Sequence, residues 1–211
     1  MLFRSGTGEF IQFAQNLGWQ DTEGIEIVPE VAAIAHTQTG STIHPQILGE
    51  AHLEYGKYSV ITLWDVIEHL SDVKGNLKEI HKLLKPGGIL ILGTVNRHGF
   101  SIRSLKQNAM TFGPPEHLTF FTKKGTSLAL NAQGMKVITQ WSSLIYLQEW
   151  TRYLGRSTKQ SQNSSLESYS EFRSKLTNSS IFLFLVEFIN IFLKLTNLGD
   201  ELIAIAQKKI K

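Results

Sequence analysis

The polar turn between two apolar runs in residues 58–92 constrains the fold of this chain most strongly. The pattern predicts a buried strand at 58–63, a helix at 70–84 with an apolar stripe, and a second buried strand at 89–95. A Pro-Gly-Gly turn separates the helix from the second strand. In open α/β sheets, a strand that ends in clustered polar groups forms a ligand site at the carboxyl edge of the sheet. The polar groups that follow the first strand are Asp65, Glu68 and His69.

The same alternation of strand and helix extends over residues 9–141. Apolar periodicity, together with Gly and Pro stops, predicts further helices and strands on both sides of the central segment. The predicted helices are 9–17, 29–36 and 122–133, and the predicted strands are 22–28, 43–48, 136–141 and 201–207. Regular alternation is typical of an α/β domain with a mostly parallel sheet.

Bulk composition predicts one globular domain over residues 1–211. Of the residues, 42% are hydrophobic and 18% are charged, and the net charge is only +3, without the basic stripe that a nucleic-acid partner favours. The chain has no cysteine, which excludes disulfides and thiolate metal sites and suits a cytoplasmic location. The apolar run at 181–195 is shorter than a membrane crossing needs, so we expect no transmembrane segment.

A glycine loop at the start of the chain indicates a nucleoside site. Gly6 and Gly8 directly precede the first predicted helix, where free backbone N–H groups face a ligand. Glu26 follows Gly8 by 18 residues, close to the spacing at which a carboxylate binds ribose hydroxyls. Residues 1–4 give little room for a buried strand before the loop, so we expect a first strand that is largely missing from this chain.

At this point the chain resembles the class I S-adenosylmethionine-dependent methyltransferases, in the broad group that includes the ubiquinone-biosynthesis O-methyltransferases. The matching segments are 6–10, 23–26, 63–70, 84–88, 94–96, 115–121 and 134–137, and 199–208 matches the last strand. The resemblance implies a Rossmann-like sheet with helices on both faces, strand order 3-2-1-4-5-7-6 and strand 7 antiparallel. It also implies S-adenosyl-L-methionine as cofactor and methyl transfer to a small molecule at a hydroxyl oxygen.

The resemblance assigns roles to single residues. The expected cofactor-binding residues are Gly6, Gly8, Glu26, Ile27, Leu48, Trp64 and Asp65, and the expected catalytic residues are His69, His117 and Glu68. An imidazole titrates near neutral pH, so either histidine is a candidate general base. Residues 146–197 are expected to form a helical insertion over the substrate, between the last two strands. No residue is assigned to a metal, and the oligomeric state is left open.

Two local alternatives stay open. Asp65 and Glu68 have the spacing of a capping box, so both side chains are candidates to cap a helix at 66–84. They also fall with His69 on one helical face, and Glu116 and His117 complete an oxygen and nitrogen set that suits a divalent ion.

Three alternatives compete with the leading function. The first is an N-terminally truncated, inactive fragment with impaired cofactor binding. The second is a nicotinamide-dependent oxidoreductase, which predicts a third glycine where Phe10 and Ile11 stand. The third is an RNA methyltransferase, which the missing basic patch argues against.

Overall fold

One seven-stranded sheet organises the protein. The computed structural model describes residues 2–3, 5–113, 116–144 and 191–210. The strands are β1 (Leu2–Phe3), β2 (Glu23–Ile25), β3 (Thr42–His44), β4 (Tyr58–Trp64), β5 (Leu84–Val95), β6 (Met135–Ser143) and β7 (Glu201–Lys208). The helices are α1 (Glu9–Asn16), α2 (Pro29–Thr39), α3 (Val73–Leu83), α4 (Phe100–Leu105) and α5 (Lys123–Ala132). Single 3₁₀ turns span Ile67–His69, Lys106–Asn108 and Met110–Phe112, and residues 191–196 are helical.

The strands lie in the order β3-β2-β1-β4-β5-β7-β6, which is the order that the resemblance implies. The two-residue strand β1 lies at the centre, where Leu2 pairs with Gly24 on one side and Thr62 on the other. Strand β7 runs antiparallel to both β5 and β6. The predicted α/β class is therefore confirmed, and the carboxyl ends of β2, β4 and β5 meet at one edge.

The main core lies between the sheet and the helices α3 and α5. Ile61 and Leu63 of β4 belong to one cluster of buried side chains with Leu130 of α5. From α3, the cluster includes Leu77, Ile80 and Leu83. Side chains alternate between the faces of a strand, so Trp64 points to the opposite face. There its ring lies 5.8 Å from the ring of Phe10 in α1. Helices therefore cover both faces, as predicted.

The segment after β4 differs from its prediction. The prediction of a helix that begins at residue 66 or 70 is wrong, because Ile67–His69 forms a 3₁₀ turn and Leu70 is extended. Helix α3 begins only after Asp72, whose side chain accepts a hydrogen bond from the backbone N–H of Gly75 at 2.8 Å. Asp72 is thus the N-cap, and the predicted capping by Asp65 and Glu68 is wrong. Those two carboxylates are left for the site.

Several strand boundaries also differ, and β2, predicted at 22–28, spans only Glu23–Ile25. Strand β5 begins at Leu84, which pairs with Tyr58, although regular pairing resumes only at Ile89 with Val60. Residues 85–88, which hold the Pro-Gly-Gly turn, therefore bulge out of the ladder without ending the strand. Strand β3 is shorter than the predicted 43–48, because Pro45 follows His44 and has no N–H to continue the ladder.

The predicted helical insertion at 146–197 lies outside the described residues, apart from the helical stretch 191–196. Among the described helices, none combines the length and the hydropathy that a membrane crossing requires.

Candidate active site

The glycine loop and the acid after β2 are directly bonded. The Gly6 backbone N–H donates to Oε2 of Glu26 at 3.1 Å, and the Val28 N–H donates to Oε1 at 3.1 Å. Glu26 is buried, with 4% of its surface exposed. Each carboxylate oxygen has a second lone pair, so Glu26 keeps acceptor capacity for ligand hydroxyls while it fixes the loop.

The two glycines of the loop serve different purposes. Both have a left-handed backbone, with φ of 52° at Gly6 and 96° at Gly8. A Cβ at Gly6 would meet no heavy atom within 4 Å, so the loop is open to a ligand there. A Cβ at Gly8 would lie 2.8 Å from Cγ2 of Thr39 and 3.3 Å from Cα of Ala35. Gly8 therefore lets α1 pack closely against α2, a role that the sequence did not reveal.

A cleft of about 730 Å³ opens at this edge of the sheet. Its volume lies within the roughly 300–1,000 Å³ range of small-molecule sites. Apolar walls come from Ile25, Ile27, Leu48 and Val66, and polar walls from His69, Asp72, Asn76 and Glu116. The side chain of Ile27 is apolar yet 57% exposed, which favours a flat apolar ligand against it. Of the predicted residues, Ile27, Leu48 and His69 line the cleft, whereas the others are not among its lining residues.

The end of β4 is tightly built around Gly93 of β5. The Trp64 ring lies against the Cα of Gly93, leaving no room for a side chain there. Asp65 follows with a left-handed φ of 50°, and its N–H donates to the Gly93 carbonyl at 3.1 Å. Positive φ at a residue other than Gly is uncommon and is concentrated at functional sites. The chain thus turns sharply at Asp65 and carries the next residues to the cleft.

Glu68 is a buried carboxylate with one satisfied oxygen. Thr94 Oγ1 donates to Oε2 of Glu68 at 2.9 Å, while Oε1 is buried and has no hydrogen-bond partner among the residues that the structure describes. Burial raises the pKa of the Glu68 carboxyl, and the nearby Asp65 charge adds to that shift. A buried oxygen without a hydrogen-bond partner is typical of a site that binds a ligand or a proton.

Two imidazoles lie next to that oxygen. Their rings are 4.8 Å apart, and each Nδ1 is bonded to a backbone carbonyl, His69 to Glu116 O at 2.9 Å and His117 to Thr111 O at 2.8 Å. A carbonyl only accepts, so each Nδ1 carries a proton and each neutral ring has its lone pair at Nε2. One ligand atom from each of Glu68, His69 and His117 lies within 4.8 Å of the others. The structure thereby brings together the three residues predicted to be catalytic.

Two polar residues near the site, Thr94 and Glu201, were not predicted from the sequence. Thr94, at the end of β5, gives Glu68 its one side-chain hydrogen bond. Glu201, the first residue of β7, places its carboxylate next to Gly93 and Trp64. Burial, and then the charges of Asp65 and Glu68, raise the pKa of Glu201 to about 7. Only the antiparallel placement of β7 beside β5 brings Glu201 here, so no local sequence signal marked it.

The chain matches a known family model and known structures. Residues 3–140 match the family model described as a methyltransferase domain. The ubiquinone biosynthesis O-methyltransferase of Ruegeria pomeroyi is 39% identical over 70 residues, 32% of this chain and 28% of the relative. That of Burkholderia vietnamiensis is 28% identical over 127 residues, 57% of this chain and 52% of the relative. The chain thus spans between about a third and about half of the length of these curated relatives.

Solved structures share the fold at low sequence identity. A methyltransferase of Archaeoglobus fulgidus, described as S-adenosylmethionine-dependent, superposes with a TM-score of 0.62 at 15% identity, covering 98% of this chain and 84% of that one. The Haemonchus contortus phosphoethanolamine N-methyltransferase 2, solved with S-adenosylmethionine, has a TM-score of 0.63 at 17% identity, covering 100% and 48%.

The sheet order, the glycine loop joined to an acid and the cleft beside them define the fold of a class I S-adenosylmethionine-dependent methyltransferase. The chain belongs to the methyltransferase-domain family. The predicted family is confirmed, and S-adenosylmethionine is the cofactor of that family.

Proposed function

We propose that this chain transfers a methyl group from S-adenosylmethionine to a hydroxyl oxygen of a small molecule. The observation that carries the proposal is the convergence of Glu68, His69 and His117, because His69 lines a cleft that the neighbours of Glu26, Ile25 and Ile27, also line. Glu26 in turn is bonded to Gly6. The Glu68–His69–His117 group suits a proton or a cation, and the Gly6–Glu26 pair suits a nucleoside. The names of the curated relatives, which are O-methyltransferases, support oxygen as the acceptor atom.

The residues at the glycine-loop end fit the cofactor. The open backbone at Gly6 admits a ligand, and Glu26 has lone pairs for two ribose hydroxyls. Ile27 and Leu48 offer apolar faces for the adenine, while Trp64 and Asp65 provide an aromatic face and a carboxylate for a sulfonium cation. When bound, S-adenosylmethionine would supply an activated methyl group: an acceptor oxygen would bond to the methyl carbon in line with the breaking C–S bond, and S-adenosylhomocysteine would leave. The protein orients the acceptor, which accounts for much of the rate in such a reaction.

The imidazole pair supplies the base. Nε2 of either His69 or His117 is set to accept the hydroxyl proton, because Nδ1 of each ring already donates to a backbone carbonyl. The buried carboxylate of Glu68 then stabilises the imidazolium that forms. The negative charge of Glu68 also offsets part of the desolvation free energy of a cation that binds at this partly buried position.

The same three residues fit a divalent ion. Oε1 of Glu68 has no hydrogen-bond partner among the described residues, and one ligand atom from each of Glu68, His69 and His117 lies within 4.8 Å of the other two. Each imidazole also has the carbonyl contact at its second nitrogen that is usual for metal-bound histidine. An ion held there would lower the pKa of an acceptor hydroxyl. This reading takes up the divalent-ion alternative that the sequence left open, although the sequence prediction assigned no residue to a metal.

Isothermal titration and a radiolabel assay test the proposal. The full chain should bind S-adenosylmethionine with micromolar affinity, about −8 kcal/mol. It should then transfer a tritiated methyl group to members of a panel of hydroxylated small molecules, assayed with Mg²⁺, Mn²⁺ or a chelator present. A folded chain that gives no binding heat would instead favour the alternative of a methyltransferase-like fragment without cofactor binding.

Two variants separate the proposed roles. His117→Gln removes a base or ligand and should abolish transfer while leaving cofactor affinity within about twofold. His98→Gln changes an exposed histidine nearby in the chain and should leave transfer unchanged. Methylation of amines but not of hydroxyls would contradict the assignment to oxygen.

A further inference from the structure

We infer that Phe120 is a positioning residue for the Glu68–His69–His117 centre, one that sets where the His117 imidazole lies. This inference rests on the proposed function of that centre. Phe120 itself touches neither Glu68 nor His69 in any ring contact or hydrogen bond that the structure records, so it would act through His117.

A continuous row of ring contacts, which we call the column, leads from Arg97 through Phe112 and Phe120 to the imidazoles. The guanidinium of Arg97 lies 5.9 Å from the centre of the Phe112 ring, and Phe112 stacks on Phe120 at 5.0 Å with the rings only 23° apart. Phe120 then meets His117 nearly edge-on, at 6.2 Å and 77°, and His117 meets His69 at 4.8 Å and 65°. These separations lie within the 4.5–7 Å range of favourable aromatic pairs.

The base of the column is anchored in a small second core. Phe112 and Phe120 pack against a cluster of buried side chains that is separate from the main core. The cluster consists of Val95, Ile102, Leu105 and Ala109. The end of β5, helix α4 and the turn after it therefore fix the two phenyl rings.

The other constraints on His117 leave its position to Phe120. Backbone N–H groups of Leu118 and Thr119 donate to the Glu68 carbonyl at 2.8 and 3.1 Å, which fastens the chain beside the turn. The His117 side chain itself has one hydrogen bond, from Nδ1 to the Thr111 carbonyl, and that bond still permits rotation about its direction. Contact with a flat ring on one side and with His69 on the other removes that freedom.

Chemical modification and cobalt binding test this inference on the full chain. Diethyl pyrocarbonate acylates unprotonated imidazole nitrogens, and peptide mass spectrometry gives the rate at each histidine. In Phe120→Leu the rate at His117 should rise at least about fivefold, and the dissociation constant for Co²⁺, followed by visible absorbance, should rise about tenfold. Phe120→Tyr keeps the ring and should match the wild type. Phe100→Leu removes a ring from α4, outside the column, and should also match it.

The outcomes are separable. A Phe120→Leu protein that unfolds cooperatively and modifies His117 at the wild-type rate overturns the inference. If Phe120→Leu does not fold, Phe120→Met, which keeps most of the volume without the flat ring, decides in its place by the same criterion. Wild-type protein that binds no Co²⁺ counts against the metal reading of the centre, and the modification rates alone then decide the role of Phe120.

Discussion

Glu26 accepts a hydrogen bond from the Gly6 N–H at 3.1 Å, so the residue predicted to hold a ribose also holds the loop against which a cofactor would lie. Replacing Glu26 with Gln should therefore weaken S-adenosylmethionine binding at least about tenfold, or about 1.4 kcal/mol, because hydrogen bonds to a charged acceptor are the stronger kind. Isothermal titration measures the change. Glu30→Gln alters an exposed carboxylate at the start of α2 and should bind normally. Equal affinities in the two variants would contradict the assignment of Glu26.

Thr94→Val should destabilise the protein through Glu68. The substitution keeps the shape of the side chain but removes the one side-chain donor to that buried carboxylate among the described residues, at a cost of about 1–3 kcal/mol. Burial already raises the pKa of Glu68, and loss of the hydrogen bond raises it further. The free energy of unfolding in urea should therefore fall more at pH 8 than at pH 4, below the raised pKa of Glu68, where the protonated carboxyl tolerates burial.

Thr62→Val is the matched control for that measurement. Thr62 is a buried residue of the neighbouring strand β4, and within the described part of the chain its hydroxyl has no hydrogen-bond partner. Its replacement should be neutral or stabilising at both pH values. If both variants lose the same stability, the Thr94–Glu68 hydrogen bond is not the cause.

Glu201→Gln should stabilise the protein in a pH-dependent way. The pKa of Glu201 is about 7 in the folded state, raised by burial and by the Asp65 and Glu68 charges from an ordinary value of 4.5. The folded state therefore holds its proton more tightly than the unfolded state, and wild-type stability falls as pH rises from about 4.5 to about 7. Above that window the neutral variant should be more stable, by about 2 kcal/mol after solvent screening. Thermal unfolding at pH 4 and pH 8 measures the difference.

The exposed carboxylate of Glu50 offers a control, since Glu50→Gln should change stability little at either pH. A Glu201→Gln protein with the same advantage at pH 4 as at pH 8 would mean that packing, and not charge, explains the effect.

Gly93→Ala should disturb the end of β4. The new methyl group would overlap the Trp64 ring and approach Oε1 of Glu201 to 3.0 Å, so the indole must move. Overpacking of this kind costs about 1–3 kcal/mol, and the indole fluorescence should change with it. Gly49→Ala adds a methyl group where no heavy atom lies within 4 Å and should be tolerated. Unaltered stability and fluorescence in Gly93→Ala would refute the close contact.

Much of the architecture follows from local sequence. Apolar runs bounded by glycine and proline locate β4, β5, α1 and α5 to within a few residues, because burial and backbone freedom act over short stretches. The predicted start of the helix after β4 is wrong for a local reason. Asp65-x-x-Glu68 and Asp72 compete as N-caps, and the left-handed turn at Asp65 prevents a helix from starting there.

The sequence by itself determined the alternation of strands and helices, the family, and the identity of Glu26, Glu68, His69 and His117 as candidates, since each is marked by its neighbours in the chain. Only the tertiary structure decided that Gly8 serves helix packing, that Thr94 bonds Glu68, and that Glu201 and the Phe112–Phe120 stack reach the site. Those relationships join residues far apart in the chain. They depend on which strands are neighbours and on which loop folds over which turn, and no short-range pattern encodes that.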